Sequence, residues 1–315
     1  MWGNVLGWKI SVAMFLLAVV LGGYLYNQMQ ITDPTALSLD PHNLAELSPP
    51  VPARPIVEQN IPGDAGEKYS VAAALLDEDA DACEAFGQKP EGPVPQPMQL
   101  VLDAAHLSSM NLFARNPGLI IDYQSEHPPL DNLAKLGQDM ESAALLFNRS
   151  GKTDEGRTFL QAAYALGQNL YRERLDYEEF SRGMGLMDGA TTALAEMEAA
   201  GSPEQKQLQD QQAATVDFDQ KNVLPIYEVL ASADQQRIAA NAGDVFHFAT
   251  KARERMFRVE AILKVGRYRF DAARQADQIA APRFLRRLSD DPDPAVRAAA
   301  GAAAGLTVEE YRMIH

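Results

Sequence analysis

The densest set of ionisable side chains lies between Tyr171 and Glu179, where Glu173, Asp176, Glu178 and Glu179 interleave with Arg172, Arg174 and Tyr177. Two carboxylates about 5 to 10 Å apart, one buried and protonated and the other ionised, carry out glycosidic hydrolysis. Glu173, Glu178 and Glu179 are therefore the candidate catalytic residues. The same side chains have a structural reading. Asp176 stands at a helix start, where acids cap free main-chain N–H groups and complement the helix dipole.

A second concentration of charge is basic. Between Lys251 and Arg297 there are twelve bases and seven acids, a net +5 in a chain of net charge -15, so the remainder carries -20. Arg253, Lys264, Arg267, Arg274, Arg286 and Arg287 are candidates for a surface that meets an anionic partner. The competing reading is a solvated face neutralised by the protein's own acidic helices. The overall acidity argues against nucleic acid as a partner.

Other chemistries find no pattern. His42, His106, His127, His247 and His315 are scattered, and Cys83 is the only cysteine, so no metal-binding spacing is present. No nucleophile elbow, phosphate-cradling loop or dinucleotide fingerprint occurs, and no cofactor is expected. Gly183-x-Gly185 lies inside a helical pattern rather than after a strand. Asn148-Arg149-Ser150 is a glycosylation sequon, meaningful only in a eukaryotic secretory route.

The elements that position these residues are helices. Apolar residues recur at spacings of three and four: Tyr69, Ala72, Leu76, Ala80, Cys83 and Phe86; then Leu130, Leu133, Leu136, Met140, Ala144 and Phe147. The pattern continues through Phe159, Ala163, Leu166 and Leu170, through Phe180, Met187 and Leu194, and through Val245, Ala249, Ala252, Met256, Val259 and Leu263. Pro90, Pro93, Pro95 and Pro97 end the first helix, and an irregular stretch from Asn116 to Pro129 marks a sub-boundary. Ser202-Pro203-Glu204-Gln205, Ser232 to Gln235 and Thr307 to Glu310 read as capping boxes. No alternating strand is evident. The expectation for residues 68–315 is an all-α domain of antiparallel helices joined by short connections, solenoid-like in arrangement.

Residues 282–306 (PRFLRRLSDDPDPAVRAAAGAAAGL) resemble a HEAT-type repeat, with Leu285 and Leu288 closing a first helix, Asp290 to Pro294 making the turn, and Val296, Arg297 and the alanines forming a second. Residues 130–200 loosely resemble tetratricopeptide helices, Leu136-Gly137 being echoed by Leu166-Gly167 at an interval of 30 rather than 34. The resemblance implies stacked helices that bind proteins through one face, and no chemistry.

At the other end, Ile10 to Tyr26 is uncharged and, with Trp8, Tyr24 and Tyr26 as interfacial aromatics, matches a single membrane span. No small-residue cleavage pattern follows it, so an uncleaved signal anchor is expected. Lys9 precedes the span and acids dominate after it. The short N-terminus, residues 1–9, is thus expected in the cytoplasm and the body on the exported side, periplasmic if the source is bacterial. Gly3-x-x-x-Gly7 and Ala18-x-x-x-Gly22 permit self-association through the anchor. The proline-rich residues 27–67 read as a disordered spacer with a reach of roughly 35 Å.

These features point first to a membrane-tethered helical scaffold or adaptor that binds an envelope protein. The alternatives are an exported enzyme acting on envelope polysaccharide through the carboxylate pair, and a basic-surface binder of an anionic envelope polymer.

Overall fold

The computed structural model of the chain describes residues 56–121, 128–224, 254–268 and 275–307, and the isolated positions 245, 249, 250, 252, 310 and 313. The expected span at Ile10 to Tyr26, most of the spacer, the Ser232 to Gln235 box, His247, Arg253 and Arg274 lie outside them. Among the described residues no helix is long and apolar enough to cross a membrane.

The fold is mostly helical, as the periodicity predicts. Strand β1 (Ile61–Asp64) leads into α1 (Ala65–Gln88), followed by α2 (Gln96–Ala104), β2 (Leu107–Ser109), α3 (Leu112–Arg115) and α4 (Gly118–Ile121). Three long helices come next, α5 (Pro128–Arg149), α6 (Thr153–Glu173) and α7 (Tyr177–Met197), and then α8 (Pro203–Phe218), which runs into one π-helical turn, Asp219–Val223. The described part closes with α9 (Arg255–Tyr268), α10 (Gln275–Leu288) and α11 (Pro294–Ala304).

Local chemistry sets the helix ends. Asp64, Asp176, Ser202 and Asp293 each accept a main-chain N–H from the first turn of the helix they precede. Gln205 completes the Ser202 box by accepting from Gly201, and Thr307 and Glu310 bond reciprocally. The connections around α5, α6 and α7 are short, and α1 packs on α5, α5 on α6, α6 on α7 and α7 on α8. Phe86, Phe147 and Phe159, from α1, α5 and α6, form one aromatic cluster with ring centroids 5.5 to 6.2 Å apart. Cys83 is fully buried on the same side of α1, and burial first, then the charges of Asp139 and Asp79, push its thiol up to about 11.

α6 and α7 meet backbone against backbone. A Cβ at Gly183 would lie 2.7 Å from the carbonyl oxygen of Gly167, and one at Gly167 would meet the carbonyl of Gly183 at the same distance. The backbones cross so closely that neither position accommodates a methyl group.

One feature differs from the sequence expectation. β1 and β2 form a two-stranded parallel ribbon, pairing Ile61 with Leu107 and Asp64 with Ser109. Both strands are short and largely exposed, so they carry no alternating apolar pattern to reveal them. Ahead of β1, the end of the proline-rich stretch is packed onto the body. Val57 is buried, and Gln59 donates to the Oδ1 of Asn169, whose Nδ2 donates to the hydroxyl of buried Tyr69.

At the C-terminal end, α10 and α11 pack on one another across the Asp290 to Pro294 turn, with Leu285 and Leu288 buried. α10 starts before the resemblance does and passes through Pro282. α9 packs on α11, where a Cβ at Gly266 would lie 2.7 Å from the Cβ of Ala303, and α11 also packs on α4, joining this end to the first helices.

Candidate functional site

The carboxylates singled out in the sequence gather at the turn between α6 and α7, but they separate there into two environments. α6 ends at Glu173, and Arg174 takes the left-handed conformation (φ 35°, ψ 61°), the only described residue other than glycine with positive φ. Its guanidinium is fastened to Glu254, Nε to Oε2 at 2.7 Å and Nη2 to Oε1 at 3.3 Å. Leu175 is buried, and Asp176 caps α7 by accepting from the N–H of Glu179 at 2.8 Å. Glu179 reaches back and accepts from the N–H of Leu175 at 2.7 Å.

Glu173 serves a different helix. Its two oxygens accept from the N–H groups of Leu112 (2.9 Å) and Phe113 (3.1 Å), and Asn111 accepts from Ala114, so the first turn of the short α3 is satisfied by side chains. The N–H of Asn111 donates to Asp64, which also caps α1. Arg255 at the start of α9 is bonded to Asp293, the cap of α11, at 2.9 Å, and Glu260 accepts from the N–H of Tyr177 at 3.4 Å. Glu173, Asp176 and Glu179 thus form the centre of a joint at which the starts of α3, α7, α9 and α11 are tied together.

The electrostatics of the joint are unusual because it is nearly dry. Glu179 is fully buried, and its Oε1 has no hydrogen-bond partner among the described residues. Burial pushes its carboxyl well above the usual range, the Glu173 and Asp176 charges add to this, and the Leu175 N–H and Arg255 oppose it. Burial also raises Glu173, against the N–H groups of Leu112 and Phe113 and the charge of Arg255. Nearby, the hydroxyl of Tyr171 and Oδ1 of Asp219 are likewise buried without partners among the described residues. Burial raises both groups, and the Asp219 charge contributes to the rise at Tyr171.

Glu178 is not part of this joint. It lies half-exposed on α7 and pairs with Arg182 at 2.9 Å, which in turn pairs with Asp131 of α5 at 2.7 Å. The carboxylates that share one environment are therefore Glu173 and Glu179. Both oxygens of Glu173 and the Oε2 of Glu179 accept main-chain N–H groups, and Glu179 is sealed from solvent. The arrangement holds helix starts.

The bases of the Lys251 to Arg297 run, of which the candidates are a part, also divide. Arg255, Arg258 and Arg297 turn inward onto the Asp290 to Pro294 turn. Arg258 grips Asp291 through two bonds, the shorter 2.5 Å, and Arg297 donates to the carbonyls of Asp291 and Pro292. Burial opposes ionisation of Asp291, but the bonds from Arg258 and from the Asp293 N–H hold its carboxyl below the usual range. Lys264 is only 7 % exposed and belongs to the packing of α9, so it is no surface cation; its aliphatic stem fits there. Arg267, Arg286 and Arg287 are exposed.

A further carboxylate pair carried no sequence signal. Glu141 of α5 packs against Gly189 of α7, where a Cβ would lie 2.6 Å from its Oε2. Burial first and the Asp188 charge second raise Glu141 to about 7. Two separated acids on different helices make no motif, and only the absence of a side chain at Gly189 hints at the approach. Among the described residues no group of three or more His, Cys, Asp or Glu could hold a metal ion.

No protein-family model matches the chain, and no curated protein or solved structure matches it.

Proposed function

We propose that this chain is a membrane-tethered helical scaffold that binds an envelope protein and performs no chemistry of its own. The observation that carries this reading is the use made of Glu173 and Glu179. The carboxylates best placed for acid–base catalysis accept the main-chain N–H groups of Leu112, Phe113 and Leu175, and Glu179 is closed to solvent. An inverting or retaining glycosidase needs both carboxyl groups facing a sugar. The stacked helices and the packed pair of α10 and α11 support a binding role, since such faces recognise proteins by shape and charge. The Ile10 to Tyr26 segment would place those faces on the exported side of a membrane.

Two measurements test the reading. Photo-crosslinkers on the outer faces of α5, α8 and α10 should capture one defined envelope protein in intact cells; capture of lipid alone or of nothing would sink it. Replacing Glu178 and Glu179 together by Gln should leave any polysaccharide-cleaving activity of the preparation unchanged. A loss of such activity at an unchanged melting temperature would instead establish the enzyme.

A further inference from the structure

Part of the basic segment is neutralised within the fold, since Arg255 pairs with Asp293 and Arg258 with Asp291. Arg283, Arg286 and Arg287 do not. They sit at i, i+3 and i+4 on α10, all three are exposed, and none has an ion pair among the described residues. A complementary set lies on α1. Asp77, Glu78 and Asp81 are exposed at i, i+1 and i+4 and meet no cation among the described residues; Asp77 accepts only from the amide of Asn132. Read in the reverse direction, the acidic spacing is the same as the basic one.

We propose that copies of this chain associate by antiparallel docking of α10 of one copy on α1 of another, pairing Arg283 with Asp81, Arg286 with Glu78 and Arg287 with Asp77. The register is specific. In it Pro282 faces Ala82, both exposed and uncharged. A parallel register that pairs Arg283 with Asp77 and Arg287 with Asp81 leaves Arg286 opposite Ala80, so one arginine and Glu78 lose their partners. Three arginine forks meeting three carboxylates give a salt-sensitive association. Repulsion between copies of net charge -15 is screened beyond about 8 Å at physiological salt, so the local match decides. This inference does not depend on the adaptor reading, because its partner is the chain itself.

The test uses the full-length chain in neutral detergent. Cys83 is fully buried, so introduced cysteines are the accessible thiols. A short bis-maleimide should join R283C to D81C and R287C to D77C in mixed samples, with a yield about tenfold above that of the parallel control, R283C with D77C, and high salt should abolish the difference. By light scattering, R283E/R286E/R287E and D77R/E78R/D81R should each be monomeric alone and should associate when mixed. Circular dichroism verifies folding of these surface variants. The proposal is overturned if the unmodified chain is monomeric at low salt, or if the parallel control joins equally well. Association of either charge-reversed variant on its own, as packing through a membrane anchor would give, overturns it equally.

Discussion

Arg174 holds both carboxylate oxygens of Glu254, and this bond crosses from the α6–α7 turn to the residue just before α9. The bridge compensates for a backbone conformation that side chains other than glycine adopt at a cost on the order of 1 kcal/mol. Both side chains are about four-fifths covered, being 21 % and 17 % exposed, so the pair has more value than a surface salt bridge. A double-mutant cycle of R174A and E254A, followed by urea denaturation, should give a coupling of about 1 to 2 kcal/mol. A coupling near zero would show that the turn holds itself.

Glu179 makes stability depend on pH in an unusual direction. Its folded-state pKa is raised, so its contribution is fully present below the ordinary glutamate range and is lost as pH rises through the folded value. Glu179→Gln keeps the shape and an oxygen for the Leu175 N–H while removing the titration. The variant should gain denaturation midpoint relative to the parent as pH rises from 4 to 8. A difference that stays constant with pH would refute the buried-acid description.

The same sign applies at Glu141, where burial and Asp188 raise the carboxyl to about 7. Its stabilising neutral form is lost between the ordinary range and pH 7, a change on the order of 2 kcal/mol. Glu141→Gln should flatten that part of the stability curve, and carboxyl chemical shifts would give the midpoint directly.

Two glycines two positions apart on α7 should respond in opposite ways. A Cβ at Gly183 would lie 2.5 Å from the N of Tyr171 and 2.7 Å from the O of Gly167, whereas Gly185 has nothing within 4 Å. Gly183→Ala should cost about 1 to 3 kcal/mol through overpacking, and Gly185→Ala should add about 0.5 to 1 kcal/mol through helix propensity. Thermal melts of the two variants suffice to compare them.

The parts of the fold that could be read from sequence are those whose causes are local. Asp176, Ser202 with Gln205, Asp293 and the apolar face of α1 each act within a few residues of themselves, and periodicity and capping chemistry reveal them. Glu173 was legible as an acid but not as a cap, because the N–H groups it serves are 60 and 61 residues away. The basic run was legible as charge, but a count of charges does not show that Arg255 and Arg258 turn inward or that Lys264 is covered. β1 and β2 were invisible, because strands of four and three residues held by one another's backbone carry no periodic signal.

The parallel ribbon gives the body a mechanical grip on whatever precedes it. A pull along β1 toward the N-terminus loads the Ile61 N–H to His106 carbonyl bond, the Ser109 hydroxyl to Gly63 carbonyl bond and the Asn111 N–H to Asp64 bond together, in shear. The Gln59, Asn169 and Tyr69 chain shares the same strain. Bonds stretched together resist more force than bonds peeled one at a time, so tension arriving at Ile56 would spread across α6 and α1 before any single helix unravelled.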